Sequence, residues 1–305
     1  MTDWARKIRE GDARALARVA TGVENRDPQA LAVLRELEPF CGHARLVGIT
    51  GPPGAGKSTL VDALAAAIRK QGNTVAVLAV DPTSRRTGGA ILGDRIRMQQ
   101  HHADPGIFIR SMATRGGSGG LARATADLVR LMDAAGKDYV IIETVGVGQD
   151  EVEIAGLAQV TVVVLVPGMG DDVQTIKAGI MEIADIFVIN KSDLPGADVV
   201  ERELQAMLGL SDGRKPPIIR TVARDGTGVA ELLETIEDRS LWSRLGSALV
   251  NAPTLSNAPA LPSRDREGAG VQGAVVTLRV TDPHAAVEAL RAAGLLLELI
   301  EESAK

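Results

Sequence analysis

Gly51-Pro52-Pro53-Gly54-Ala55-Gly56-Lys57-Ser58 fits the pattern GxxxxGK[ST], and its flanks decide the fold. Leu46-Val47-Gly48-Ile49-Thr50 ahead of it is apolar enough for a buried strand. Residues 59–70 behind it are rich in Ala and Leu and suit a helix. Strand, glycine-rich loop, helix is the order that phosphate binding needs. Glycines let backbone N–H groups turn inward around a phosphate, and a helix N-terminus adds favourable partial charge. The stretch nominates Gly51, Pro53, Gly54, Ala55, Gly56, Lys57, Ser58 and Thr59 as a nucleotide cradle. Lys57 suits the β- and γ-phosphates, and the Ser58 hydroxyl suits Mg²⁺.

A second stretch names the base. Phe187-Val188-Ile189 is a short apolar run, followed by Asn190-Lys191-Ser192-Asp193. Asn-Lys-x-Asp after a late strand is the guanine-reading pattern of G proteins. The Asp193 carboxylate can accept hydrogen bonds from guanine N1–H and from the exocyclic amine. Adenine offers neither at those positions and leaves the carboxylate unpaired, which is costly in a desolvated site. The Lys191 stem lies along the base plane in this reading. Thr221, Val222 and Ala223, at the end of an expected strand over 217–222, complete the nucleotide-binding set.

Composition narrows the class. The chain has 305 residues, room for one large α/β domain with appendages. Its net charge of −5 and its 2 % aromatic content argue against a nucleic-acid platform, which needs basic grooves and stacking rings. No apolar run approaches the roughly 20 residues of a membrane span. No apolar signal region follows Met1-Thr2-Asp3-Trp4. Cys41 is the one cysteine, so an intrachain disulfide or thiolate metal cluster is excluded. A cytoplasmic location is expected.

Residues 1–42 read as a helical N-terminal extension, and 43–246 as the nucleotide domain. Strand-like runs lie near 46–50, 74–80, 138–142, 160–166, 186–190 and 217–222. Helix-length amphipathic stretches such as 121–135, 172–184 and 198–208 lie between them. Alternation of apolar strands with helices predicts a mostly parallel sheet covered on both faces. Ligands then sit at the carboxyl ends of the strands, where Lys57, Asp81, Glu143 and Asn190 fall. Residues 247–270, with Pro253, Pro259 and Pro262, read as a linker. Residues 271–305 read as a small β-α-β-like tail of about 35 residues, too short to bury a core alone. It docks on the main domain, pairs with a copy of itself, or stays loosely folded.

Asp81, Asp94 and Glu143 are, with Ser58, the candidate Mg²⁺ ligands. Asp81-Pro82 equally suits a turn, and Asp94 equally suits a helix N-cap. Glu143-Thr144-Val145-Gly146 stands where many GTPases carry Asp-x-x-Gly. There the acid reaches Mg²⁺ through water, and the Gly146 N–H would bind the γ-phosphate. Lys57, Glu143 and Gly146 form the candidate catalytic set. Gln149 could orient a water or be a plain loop amide. Residues 110–120 hold two arginines and four glycines in positions 116–120, and read as a loop for mobility or backbone contact. Asp171 and Asp172 open a further loop on the same rim, or cap the helix after it.

Together GPPGAGKST, AVDPTS, TGGAILGDRIRM, SMATRGGSGGLA, ETVGVGQDE, PGMGDDVQTIKAGIMEIAD and NKSD resemble the MeaB/ArgK/MMAA group of G proteins, over about residues 1–240. The resemblance implies a P-loop GTPase core of the SIMIBI class that binds GTP or GDP with Mg²⁺. It implies a chaperone of a cobalamin-dependent acyl-CoA mutase, methylmalonyl-CoA mutase or a relative. GTP hydrolysis is coupled to adenosylcobalamin delivery and to rescue of the inactivated enzyme. By the same resemblance, 82–94 is the first switch, 143–153 the second, and 169–184 the segment that meets the mutase. The alternatives are a non-catalytic nucleotide-sensing subunit of such a mutase and a nickel-insertion GTPase of the same class. The second wants a Cys/His-rich site, and His101-His102 is the one close pair. The family's long helical dimerisation arm gives way here to the Pro-rich linker and short tail, which puts the usual homodimer in doubt. An older family label, a kinase acting on a transport system, finds no second substrate site in these residues.

Overall fold

The computed structural model describes residues 1–81, 104–113, 120–144, 156–168, 183–209 and 215–251. The chain opens with helices α1 (Asp3–Arg9), α2 (Ala13–Glu24) and α3 (Pro28–Leu37). Each starts on a side-chain cap. Thr2 accepts from the Ala5 N–H, Asp12 from Arg14 and Ala15, and Asp27 from Gln29. Pro28 follows Asp27 at the first helical position, where its missing N–H costs nothing. Then come β1 (Arg45–Thr50), α4 (Lys57–Lys70), β2 (Val75–Asp81) and β3 (Ile107–Ala113). These are followed by α5 (Gly120–Ala134), β4 (Tyr139–Glu143), β5 (Val160–Leu165) and β6 (Ile186–Ile189). Helix α6 (Ala197–Gly209), β7 (Ile218–Arg220) and α7 (Val229–Asn251) complete the described elements.

Seven strands form one sheet in the order β3-β2-β4-β1-β5-β6-β7, and every pair is parallel. The chain leaves β1 toward β2 and β3, returns to β4, then crosses β1 to β5. That reversal opens a crevice at the carboxyl ends beside β1, where ligands of doubly wound sheets bind. The strands are apolar on both faces because both are covered. Val77, Ile141, Val162 and Val188 pack under α4 and α7. Leu78, Val140 and Ile142 pack on the opposite side, against α2, α3 and α5. Val163, Leu165, Phe187 and Ile189 meet α6. Leu60, Leu64 and Ile68 give α4 a fully buried stripe at i, i+4, i+8. Truncating any of them to Ala should cost about 2–5 kcal/mol.

The N-terminal region is fastened to α5 by charge as well as by apolar burial. Asp133, at the end of α5, accepts the N–H groups of His43 and Ala44 at 3.1 and 2.8 Å. Arg26 bridges to Asp127 at 2.7 Å.

Two features depart from the sequence reading. Residues 107–113 form the edge strand β3, although 110–120 reads as a loop. The polar residues hid it: Arg110 turns out of the strand to pair with Glu24 of α2 and to donate to Thr21 Oγ1 at 3.3 Å. Residues 247–251, read as the start of a linker, continue α7. By packing, the chain divides into Met1–Ser240 and Leu241–Lys305. Of the segments expected to be switches, 82–94 and 145–153 lie outside the described residues, as do 169–182 of the segment expected to meet the mutase and residues 252–305. Among the described residues no helix is long and apolar enough to cross a membrane.

Candidate functional site

The phosphate end grows from the turn between β1 and α4. Gly51 has φ +138°, and a Cβ there would meet Val164 O of β5 at 2.2 Å. Gly56 has φ +85°, and a Cβ would meet Asn190 Nδ2 at 2.5 Å. Both positions need glycine for two reasons, the left-handed backbone and the close approach. Lys57 is buried and donates from Nζ to Gly51 O at 2.7 Å and Pro52 O at 3.0 Å. The ammonium is thereby drawn back across its own loop. Ser58 Oγ donates to Glu143 Oε1 at 2.6 Å. Glu143 is the last residue of β4 and is 5 % exposed. The next residue, Thr144, donates its N–H to Ile49 O at 3.0 Å and its hydroxyl to Thr50 Oγ1 at 2.9 Å. The register of β4 on β1 therefore aims the carboxylate at the start of α4. Asp81 ends β2, the other neighbour of β4, on the same rim.

The base end hangs from Asn190. Its N–H donates to Leu165 O at 2.8 Å, and its side chain is 2 % exposed. Nδ2 donates to Ala55 O at 2.9 Å. Oδ1 accepts from Thr221 Oγ1 and from the Ala223 N–H, both at 3.1 Å. One buried amide thus ties together the phosphate loop, β6 and the turn after β7. Lys191 sits at φ +54° and donates Nζ to Gly54 O at 2.9 Å, so its stem spans from β6 to the loop.

Beside this bracket lies a cavity of about 320 Å³, within the range of roughly 300–1,000 Å³ usual for small-molecule pockets. Gly56, Thr59, Asn190, Lys191, Asp193, Val222 and Ala223 line it, with Leu194 and Arg224. Thr221 is fully buried and acts from behind, through Asn190. Leu194 and Arg224 were not read from the sequence. Arg224 directly follows Ala223, and that adjacency was the available signal.

The structure brings Lys57, Ser58 and Glu143 together at one end. It brings Asn190, Lys191, Asp193, Val222 and Ala223 together at the other. Asp94, Gly146, Gln149, Asp171, Asp172 and the His101-His102 pair lie outside the described residues. Chemically, the first cluster offers a cation, loop amides and two hard oxygens. The second offers a carboxylate beside a largely apolar cavity.

Comparison with known proteins finds similarity along most of the chain. The family described as methylmalonyl Co-A mutase-associated GTPase MeaB matches residues 16–248. A Pyrococcus horikoshii protein with a provisional GTPase name is 56 % identical over 238 residues, covering 76 % of this chain and 75 % of its own. The mouse protein named methylmalonic aciduria type A homolog, mitochondrial, is 41 % identical over 199 residues, 63 % of this chain and 48 % of its own. The crystal structure of a LAO/AO transport system kinase superimposes with a TM-score of 0.64 at 33 % identity, covering 80 % of this chain and 76 % of that one.

Proposed function

The chain belongs to the MeaB family of methylmalonyl Co-A mutase-associated GTPases, and from that premise we propose that it is a Mg²⁺-dependent gate for a cobalamin-dependent acyl-CoA mutase. As a family member it is a GTPase with a guanine nucleotide as substrate. The finer reading is that it controls adenosylcobalamin delivery to the mutase in the cytoplasm and protects or reactivates that enzyme. Methylmalonyl-CoA mutase is the first candidate partner, supported by the family's description and by the name of the mouse relative.

The observation that carries the nucleotide chemistry is the convergence on one rim of the Ser58–Glu143 pair, Lys57 and the Asn190 bracket. Hydrolysis breaks the bond from the γ-phosphorus to its bridging oxygen and forms one to water, giving GDP and phosphate. Little covalent work falls to the protein, so positioning and charge neutralisation dominate. Lys57 and the loop amides hold the phosphates. Asn190 fixes the loop relative to the base pocket, and Asp193 selects guanine. The Gly146 N–H reads the γ-phosphate.

Ser58 Oγ and Glu143 Oε1, 2.6 Å apart, are a hard oxygen pair of the kind Mg²⁺ accepts. These two, with Asp81 and Asp94 as further candidates, would hold the ion, which when bound supplies neutralisation of phosphate charge.

The experiment follows cofactor loading of apo-mutase by the absorbance of adenosylcobalamin, in the presence of this chain. Loading should depend on GTP and stall with a non-hydrolysable analogue. Loading indifferent to nucleotide would contradict the gate, and loading that responds to nucleotide but proceeds as well with the analogue as with GTP would leave a non-catalytic nucleotide-sensing subunit.

A further inference from the structure

We propose that Arg224 supplies the counter-charge to the base-reading carboxylate, as a positioning residue that acts through Asp193. The inference rests on the guanine reading of the same cavity. Arg224 Nη2 lies 3.8 Å from Asp193 Oδ2, and both side chains line the cavity. The other cation there, Lys191, is drawn to Gly54 O at 2.9 Å. Among the described residues Arg224 is the cation paired with Asp193.

The backbone that carries it is fixed on both sides. Ala223 donates its N–H to Asn190 Oδ1. Asp225 donates its N–H to Val222 O at 3.1 Å, and Val222 bridges to Thr227 across the turn. The guanidinium thus projects from an anchored turn toward the mouth of the cavity, with its side chain 81 % exposed.

Such a pair contributes little while both groups are in water. A base entering the cavity changes that. Guanine covers Asp193 with neutral N–H donors, and a carboxylate taken out of water without a cation is penalised. At lower local dielectric the attraction of Arg224 for the same carboxylate grows. Its contribution therefore arises on binding and appears in nucleotide affinity. Because Arg224 acts on the base-reading carboxylate, the contribution is the same for GDP and GTP.

The test is calorimetric titration of the full chain with GDP and with GTP, for wild type and for R224A, R224Q and R224K, with steady-state hydrolysis alongside. R224A and R224Q should bind both nucleotides about five- to tenfold more weakly. R224K should stay within about twofold of wild type. The loss should shrink in about 1 M salt. KM should rise with kcat unchanged. Wild-type affinity in R224A would overturn the proposal. So would R224Q binding as well as R224K, since the charge would then be irrelevant. A loss much larger for GTP than for GDP would overturn it too, by placing Arg224 on the phosphates. Failure of wild type to bind GDP would instead overturn the guanine reading beneath it.

Discussion

The two ends of the candidate site are built on opposite principles. At the phosphate end, Lys57 and Glu143 are buried and bonded to groups of the loop and of α4. At the base end, the Asn190 bracket is equally buried, but the side chains of Asp193 and Arg224 are 42 % and 81 % exposed. The contrast teaches a division of labour. The phosphate end keeps its charged groups buried and bonded to their own loop and helix, ready to exchange those partners for the charges that phosphoryl transfer brings. On the proposed reading, the base end keeps its selecting groups in solvent, desolvated only when a base arrives. Asn190 is the piece both ends share, through Ala55 on one side and Ala223 on the other.

The sharpest way to break this contrast is Lys57→Ala. With the ammonium gone from the phosphate end, GTP hydrolysis should fall about 10²–10³-fold. Base preference should persist. Phosphate release for the rate and GDP/ADP competition for the preference check the two halves. Loss of preference along with rate would show that the ends are not separable.

The reciprocal change, Asp193→Ala, should lower the GDP-over-ADP affinity ratio by about 10²-fold. Folding should be near wild type, because the residue is half in water. A preserved ratio would remove Asp193 from the base reading.

Asn190→Ala should damage both ends and the fold together. It leaves Ala55 O, the Thr221 hydroxyl and the Ala223 N–H without their partner in a buried place. A loss of about 2–3 kcal/mol is expected by denaturant unfolding. A mutant as stable as wild type would mean the bracket is ornamental.

The smallest effect serves as a control away from both ends. Tyr139, buried under α7, donates its hydroxyl to Glu237 Oε1 at 2.6 Å. Burial first, and that hydrogen bond second, push the phenol pKa well above its ordinary value. A raised folded value means that the neutral form is favoured in the native state. This stabilisation is fully present below the unfolded tyrosine value of about 10 and is lost as pH rises beyond it. Tyr139→Phe should cost about 1 kcal/mol near neutral pH. The difference from wild type in thermal midpoint should narrow above about pH 10. GTP turnover should not change.

Much of this architecture is legible in the residues, for identifiable reasons. Phosphate loops depend on glycines at fixed spacing, so Gly51, Gly56 and Lys57 announce themselves. The apolar runs of β1, β4, β5 and β6 are largely buried and carry a single polar interruption, Thr161. Strand β3 escaped because an edge strand tolerates Arg110 and Ser111, and Arg110 found its partner 86 positions away in α2. No local pattern encodes Glu24 as that partner. The Ser58–Glu143 contact has the same character: each residue is a candidate alone, but only the register of β4 beside β1 joins them. Thr221, expected in the nucleotide-binding set, is fully buried and donates its hydroxyl to Asn190 Oδ1, a contact that no local pattern encodes. Arg224 was missed because an arginine in a polar turn looks like any solvated residue until Asp193 is seen opposite it.

The most direct measurement of the central claim is steady-state GTP turnover by the purified full chain, alone and with a cobalamin-dependent acyl-CoA mutase from the same cell. The account predicts slow turnover alone and marked stimulation by the mutase, as for G proteins whose catalysis is completed by a partner. Rapid turnover by the chain alone, unchanged when the mutase is added, would contradict it.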